Sequence, residues 1–293
     1  MNRWPNFFIV GVAKAGTTSL YEYLKDIPGI YMSPVKEPGY FSYITRSFKP
    51  SNTRWIQNTD EYLKLFDGVK EEKILGEASP GYLSFPKVAK EIHNKVPYAK
   101  ILISLRDPVE RIFSGYLMHY RLGNFQLSFH DQIEKVMNEK EETIWKPRWL
   151  NVSLYFEDVK RYLDIFGPKQ VKIIIFEEWI KNPKDTINEI LQFLEVNQVV
   201  TSFEEETYNP FVVSRSSAAK YIFKNRKITD FAKKHIPSSA RRIFKYRILT
   251  KKQEKPQMTA QDRKILIDFY KDDVRKLENL IGRKLPWKNF ATA

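Results

Sequence analysis

The 293-residue chain contains no cysteine. That excludes a disulfide framework and any thiolate metal site. Its four histidines are scattered as single residues, so a structural zinc site is not expected. No apolar run approaches the ~20 residues that cross a bilayer. MNRWPN leads straight into the first apolar run, which argues against a signal peptide. These absences point to a soluble, cytoplasmic chain, with peripheral contact at a membrane left open. Internal repeats and low-complexity tracts are also missing. With 42% hydrophobic and 14% aromatic residues, the chain has ample material for one large domain spanning 1–293.

Acidic residues are scarce in one place. Residues 215–255 hold 14 basic and only 2 acidic side chains, whereas residues 1–214 are close to neutral, so most of the net +14 sits in one block. A block of one sign says more about partners than the total does. It reads as a basic helical cap within the domain, made of amphipathic helices at 216–235 and 238–249 with Pro237 between them. Basic residues interleaved with aromatics also permit a binding protein for nucleic acid or an anionic membrane.

Five short apolar runs have the length and β-branched or aromatic content of buried strands. They are FFIVGV from Phe7, GIYM from Gly29, residues 73–76, KILISL from Lys100 and VKIIIF from Val171. Helical patterns fall between them. One carries Leu154, Val159, Leu163 and Phe166 on one face, with Ser153 as the expected N-cap and Gly167 as its end. Another starts at Pro183. A capping-box pair, Thr259 and Asp262, opens a last long helix with Leu266, Tyr270, Leu277 and Ile281 on one stripe. The alternation predicts an α/β fold: a P-loop-type parallel sheet of four to five strands flanked by helices, with the basic helical cap added.

The organising stretch is FFIVGVAKAGTTSL, from Phe7 to Leu20. A buried strand turns at Ala13, Lys14, Ala15 and Gly16 and enters a helix at Thr17, Thr18 and Ser19. Such a loop points backbone N–H groups at one spot, where the helix N-terminus adds partial positive charge, and that is the geometry of a phosphate site. Gly11 and Gly16 have the spacing of the nucleotide-triphosphatase loop G-x-x-x-x-G-K-[ST], but Thr17 stands where the Lys belongs and the basic residue is Lys14. By itself the stretch could also be a tight turn with a solvated Lys. The second informative stretch is KILISLRDPVERIFSGYLMHYR. Arg106 ends a strand, at the edge where open α/β sheets bind ligands. Asp107 suits an N-cap and Pro108 a first helical turn. Ser114 lies about two turns on. Arg106 and Ser114 could grip a second phosphate; the plainer alternative is that Arg106 only pairs with Asp107. Between the two stretches, Lys36 and Glu37 sit in a loop that Pro34, Pro38 and Gly39 make irregular, the usual home of catalytic groups.

Taken together, these stretches resemble the sulfotransferases that use 3′-phosphoadenosine 5′-phosphosulfate (PAPS), in their carbohydrate, heparan-sulfate-type branch. Lys14, Ala15, Gly16, Thr17, Thr18, Ser19 and Leu20 resemble the 5′-phosphosulfate loop, and SLRDPVERIFSGY resembles the 3′-phosphate motif with Arg106 and Ser114 as ligands. KEPGYF from Lys36 resembles the segment carrying the catalytic Glu, here Glu37. GEASPGYLSFP from Gly76 resembles the E-K-[ST]-P-x-Y-F element, with Ala78 where that branch has Lys. Arg215 resembles an Arg that closes over the nucleotide, and the tail through Glu278 and Trp287 also matches.

The resemblance implies in-line transfer of a sulfuryl group from PAPS to a hydroxyl or amine of a carbohydrate or lipid-linked acceptor, without metal. Glu37 would take the acceptor's proton, with His119 the other candidate, and Lys14 would meet the charge growing on the bridging oxygen. The competing enzyme is a P-loop kinase of a small metabolite, which the displaced Lys and the lack of an evident Mg²⁺-binding Asp disfavour. Nucleic acid is the least favoured partner.

Overall fold

The computed structural model describes residues 3–45, 55–121, 124–138, 146–200, 213–214, 250–251 and 255–291. Its helices are α1 (Thr17–Lys25), α2 (Tyr40–Ile44), α3 (Thr59–Leu63), α4 (Val88–Lys95), α5 (Pro108–Arg121), α6 (Phe129–Asn138), α7 (Lys146–Asn151), α8 (Phe156–Phe166), α9 (Phe176–Trp179), α10 (Pro183–Phe193) and α11 (Ala260–Ile281). The chain divides into two compact units. One holds Met1–Arg111, Leu150–Glu204 and Ile267–Ala293; the other holds Ile112–Trp149 and Glu205–Leu266.

The first unit is built on a five-stranded sheet of β1 (Phe7–Gly11), β2 (Ile30–Met32), β3 (Ile74–Ala78), β4 (Lys100–Leu105) and β5 (Val171–Ile175), in the order β2-β3-β1-β4-β5. Every neighbouring pair is parallel. Parallel strands carry helices on both faces, which is why these segments read as unbroken apolar runs. β1 is buried at all five positions. Its Phe7 and Ile9 join Leu20, Leu24, Trp179, Ile187 and Ile190 in one core layer. Phe8 points to the other face and meets Phe41 edge-on at 5.8 Å. Each such buried side chain contributes roughly 1.5–3 kcal/mol, so this layer fixes where α1 begins and where the preceding loop must turn. The strand order places β1 between β3 and β4, with the chain leaving β1 toward β2 and later returning on the far side as β4. That reversal is the switch point at which open α/β sheets bind ligands beyond the strands' carboxyl ends.

Two sequence expectations need correction. Phe176, read as the end of the last strand, opens the short helix α9. Ser153 does not cap α8. That helix starts at Phe156, and the Asp273 carboxylate accepts from the N–H groups of Tyr155 at 2.6 Å and Phe156 at 3.2 Å. A carboxylate reaching across from α11 satisfies the first-turn donors, and Ser153 is left to accept from Arg111. Gly167 ends α8 as expected.

In the second unit, Phe113, Tyr116 and Phe129 pack together, Phe129 meeting the other two at 4.9 and 5.0 Å. The capping box at the start of α11 is present: Asp262 N–H donates to Thr259 Oγ1 and Thr259 N–H to Asp262 Oδ2, both at 3.0 Å. Strands β6 (Val213–Ser214) and β7 (Thr250–Lys251) pair antiparallel. The cap helices expected at 216–235 and 238–249, and Arg215, lie outside the described residues. Among the described residues, no helix is long and apolar enough to cross a membrane. Removing the remote cap by Asp273→Ala is expected to lower unfolding stability by about 1–3 kcal/mol, read as a lower urea midpoint at unchanged m-value. An unchanged midpoint would contradict this account of α8.

Candidate active site

The loop between β1 and α1 turns through two left-handed residues, Lys14 at φ 79° and Gly16 at φ 77°. Gly16 stands immediately before α1 with no side chain to cap it. Only glycine fits there: a Cβ at Gly16 would lie 2.6 Å from Trp179 Nε1. The N–H groups of Thr17, Thr18 and Ser19 occupy the first turn of α1, where no helical carbonyl can reach them. Ala15 N–H closes the loop on Val12 O at 3.1 Å, and Val12 N–H is tied to Ser104 O on β4 at 2.7 Å. The loop carbonyls are engaged from β4 and the start of α5. Ser104 Oγ donates to Ala15 O, Arg106 Nη1 to Lys14 O and Arg111 Nε to Ala13 O. Neither Arg106 nor Arg111 makes an ion pair within 4.0 Å among the described residues. Arg106 Nε is buried without a partner, and the guanidinium lies over the Phe176 ring at 4.6 Å. Two cations beside a helix N-terminus, with no carboxylate paired to either, form a cradle suited to an anion.

The turn after Arg106 is pinned as the sequence indicates and then further. Asp107 Oδ1 accepts from Val109 N–H at 2.9 Å, so Asp107 is the N-cap of α5. Its other oxygen accepts from Asn289 Nδ2 at 2.7 Å. Glu177 bridges Asp107 N–H and Trp287 Nε1 at 3.1 and 3.0 Å. Burial raises both carboxyl pKa values above the ordinary range. The C-terminal tail is therefore part of what holds Arg106 in place.

Glu37 is exposed, with left-handed backbone at φ 60° and its carboxylate 2.5 Å from Lys36 Nζ. Its N–H donates to Ala78 O at 2.9 Å, docking the loop on the carboxyl end of β3. Among the described residues only Lys14, Glu37 and Glu195 are non-glycine residues at positive φ. Such backbone costs about 1–3 kcal/mol per residue and persists where surroundings over-determine it. Two of the three are residues singled out for chemistry from the sequence.

Sequence reasoning missed the acid beneath this loop. Glu77 is wholly buried and accepts from Ser79 Oγ at 2.6 Å and from the Tyr62 hydroxyl. Tyr62 stacks on Tyr40 at 4.4 Å, and Tyr82 Oη accepts from Phe41 N–H at 3.2 Å. Burial pushes the Glu77 carboxyl up to about 6, against the opposing pull of the hydroxyls that bond it. A Glu inside an otherwise apolar strand was the signal available.

The remaining expected residues fall elsewhere. Ser114 lies midway along α5, half-exposed. His119 is in the last turn of α5, with its ring 4.8 Å from Phe125 and Nδ1 3.5 Å from Asn124. Both belong to the second unit. Among the described residues no cluster of three or more His, Asp or Glu could hold a metal ion.

The chain belongs to the sulfotransferase family: the family's sulfotransferase-domain model matches residues 5–280. The crystal structure of a sulfotransferase from Alicyclobacillus acidocaldarius is 34% identical, with a TM-score of 0.71 over 97% of this chain and 98% of that one. Membrane-associated sulfotransferase kil1 of Dictyostelium discoideum is 23% identical over 97% of this chain and 67% of its own length. Human carbohydrate sulfotransferase 15 is 27% identical over 65% of this chain. The chain thus spans about two thirds of the length of kil1 and 43% of that of carbohydrate sulfotransferase 15. Family membership makes the enzyme a sulfotransferase and not a kinase.

Glu77 also sets a pH dependence. Its folded pKa lies above the ordinary carboxyl value, so between about pH 4.5 and 6 the native state keeps a proton that the unfolded state releases. Its contribution to stability is greatest at low pH and falls as pH rises through that window, by on the order of 2 kcal/mol. Urea unfolding of wild type and Glu77→Gln at pH 4.5 and pH 7 is expected to show wild type losing stability relative to the variant on going to pH 7. A stability difference that does not change with pH would remove the buried-acid assignment.

Proposed function

We propose that this sulfotransferase draws its sulfuryl group from PAPS and delivers it to a hydroxyl or amine of a carbohydrate-like acceptor. One observation carries the reading. Lys14 and Glu37, both held in left-handed backbone, sit at the carboxyl ends of the adjacent strands β1 and β3, at the sheet edge that also carries Arg106. The anion cradle at Ala15, Gly16, Thr17, Thr18 and Ser19 suits the donor's 5′-phosphosulfate. Lys14 meets the negative charge that grows on the bridging oxygen as the sulfur–oxygen bond breaks. Arg106 and Ser114 hold the 3′-phosphate, and Arg215 closes over the nucleotide. Glu37 accepts the proton that the acceptor loses as it attacks. His119 is the alternative base.

The carbohydrate class of acceptor rests on the KEPGYF and GEASPGYLSFP segments and on the name of the human relative. Ala78, in the place of a Lys, removes one cationic contact to that acceptor. The relative named as membrane-associated, together with the basic block at 215–255, favours a peripheral approach to an anionic surface over a nucleic-acid partner.

Adenosine 3′,5′-bisphosphate is expected to raise the melting temperature of the full chain without added metal. Arg106→Ala should weaken its binding by roughly 1.5–3 kcal/mol, about 10- to 150-fold. Equal stabilisation by adenosine 5′-monophosphate would contradict a 3′-phosphate site. Glu37→Gln keeps the side chain's size but accepts no proton, so turnover with a carbohydrate acceptor should fall ~10²–10⁴-fold at nearly unchanged bisphosphate affinity. Turnover preserved within a few-fold would place the base elsewhere, with His119→Gln the next variant to assay.

A further inference from the structure

Arg111 lies beside Arg106 at the cradle but takes no part in the roles proposed above, and it is a buried cation. It is 5% exposed, and its bonds go to neutral acceptors: Nε to Ala13 O at 3.3 Å and Nη1 to Ser153 Oγ at 2.9 Å. No carboxylate lies within 4.0 Å among the described residues, and the neighbouring Arg106 adds like-charge repulsion. A buried cation without a counter-charge is unfavourable by itself, and an apolar side chain of similar volume would serve packing better.

The geometry around it forms a pattern. The stretch 104–111 contacts three successive carbonyls of the β1–α1 loop in reverse order: Ser104 on Ala15 at 2.6 Å, Arg106 on Lys14 at 3.0 Å, Arg111 on Ala13. In a planar trans peptide the carbonyl and the following N–H point to opposite sides. Holding the carbonyls of residues 13 and 15 toward these donors therefore turns the N–H groups of Lys14 and Gly16 away from them.

We infer that Arg111, seated on Ser153, is a positioning residue for the sulfuryl donor: it holds the Ala13 carbonyl so that the loop presents its N–H groups to the 5′-phosphosulfate, and its buried charge acts on that anion without touching it. The inference rests on the reading of this loop as the 5′-phosphosulfate site. An anion in the cradle supplies the counter-charge that Arg111 lacks among the described residues.

The test uses the full chain with two probes, adenosine 3′,5′-bisphosphate and adenosine 3′-monophosphate, measured by calorimetric titration. Wild type should bind the bisphosphate more tightly; if it binds neither probe, the donor reading itself fails. Arg111→Met should weaken the bisphosphate by about tenfold or more while leaving the 3′-monophosphate within about twofold. Arg111→Lys, which keeps the charge, should recover part of the loss. An equal loss for both probes means a merely structural Arg111, and no loss for either means no role; both overturn the inference. Should Arg111→Met not fold, Ser153→Ala is read in the same way, with an expected loss of about threefold confined to the bisphosphate.

Discussion

The site depends on which way three peptide groups face. A loop that binds an anion must turn its carbonyls away, and carbonyls turned into a protein interior must themselves be satisfied. Here Ser104, Arg106 and Arg111 satisfy them from β4 and the beginning of α5. Left-handed backbone at Lys14 and Gly16 makes the turn possible, and packing of Phe176 and Trp179 against Gly16 leaves no room for a side chain there. The C-terminal tail braces the same turn through Trp287 and Asn289. A residue 182 positions away in sequence thus steadies Asp107, the neighbour of Arg106.

The two acids near the carboxyl end of β3 have opposite environments. Glu37 is exposed and lies 2.5 Å from Lys36 Nζ. Glu77 is enclosed by Tyr62, Ser79 and Tyr82, and burial raises its pKa. One carboxyl group stands at the surface and the other is enclosed, so the two are suited to different work. The exposed one is suited to exchanging protons with an acceptor. The buried one holds together the tyrosines on which the loop of Glu37 rests.

Much of the fold was legible because its strands are buried on both faces. FFIVG, KILISL and VKIII are short continuous apolar runs that no exposed helix would carry. The caps at Asp107 and Thr259 were legible because capping is local: donor and acceptor lie two or three residues apart. Asp273 capping α8 was not, since its partners lie 117 and 118 residues away. Arg111 was passed over for the same reason. In VERIF it reads as a solvated helix charge, and only the contact with Ala13 shows otherwise. Ser104 did leave a trace, because a lone hydroxyl in a buried strand needs a partner. The strand order, with β1 between β3 and β4, follows from two crossovers that composition does not encode.

The central claim is that backbone N–H groups at the start of α1 bind the donor's 5′-phosphate end. Backbone amide NMR of the ¹⁵N-labelled full chain, titrated with adenosine 3′,5′-bisphosphate, tests it at the atoms concerned. The account predicts downfield shifts of the Gly16, Thr17 and Thr18 amide protons that saturate with the bisphosphate. The same amides should stay nearly still when adenosine 3′-monophosphate is used instead. Saturable binding of the bisphosphate that leaves those three amides unmoved would contradict the account.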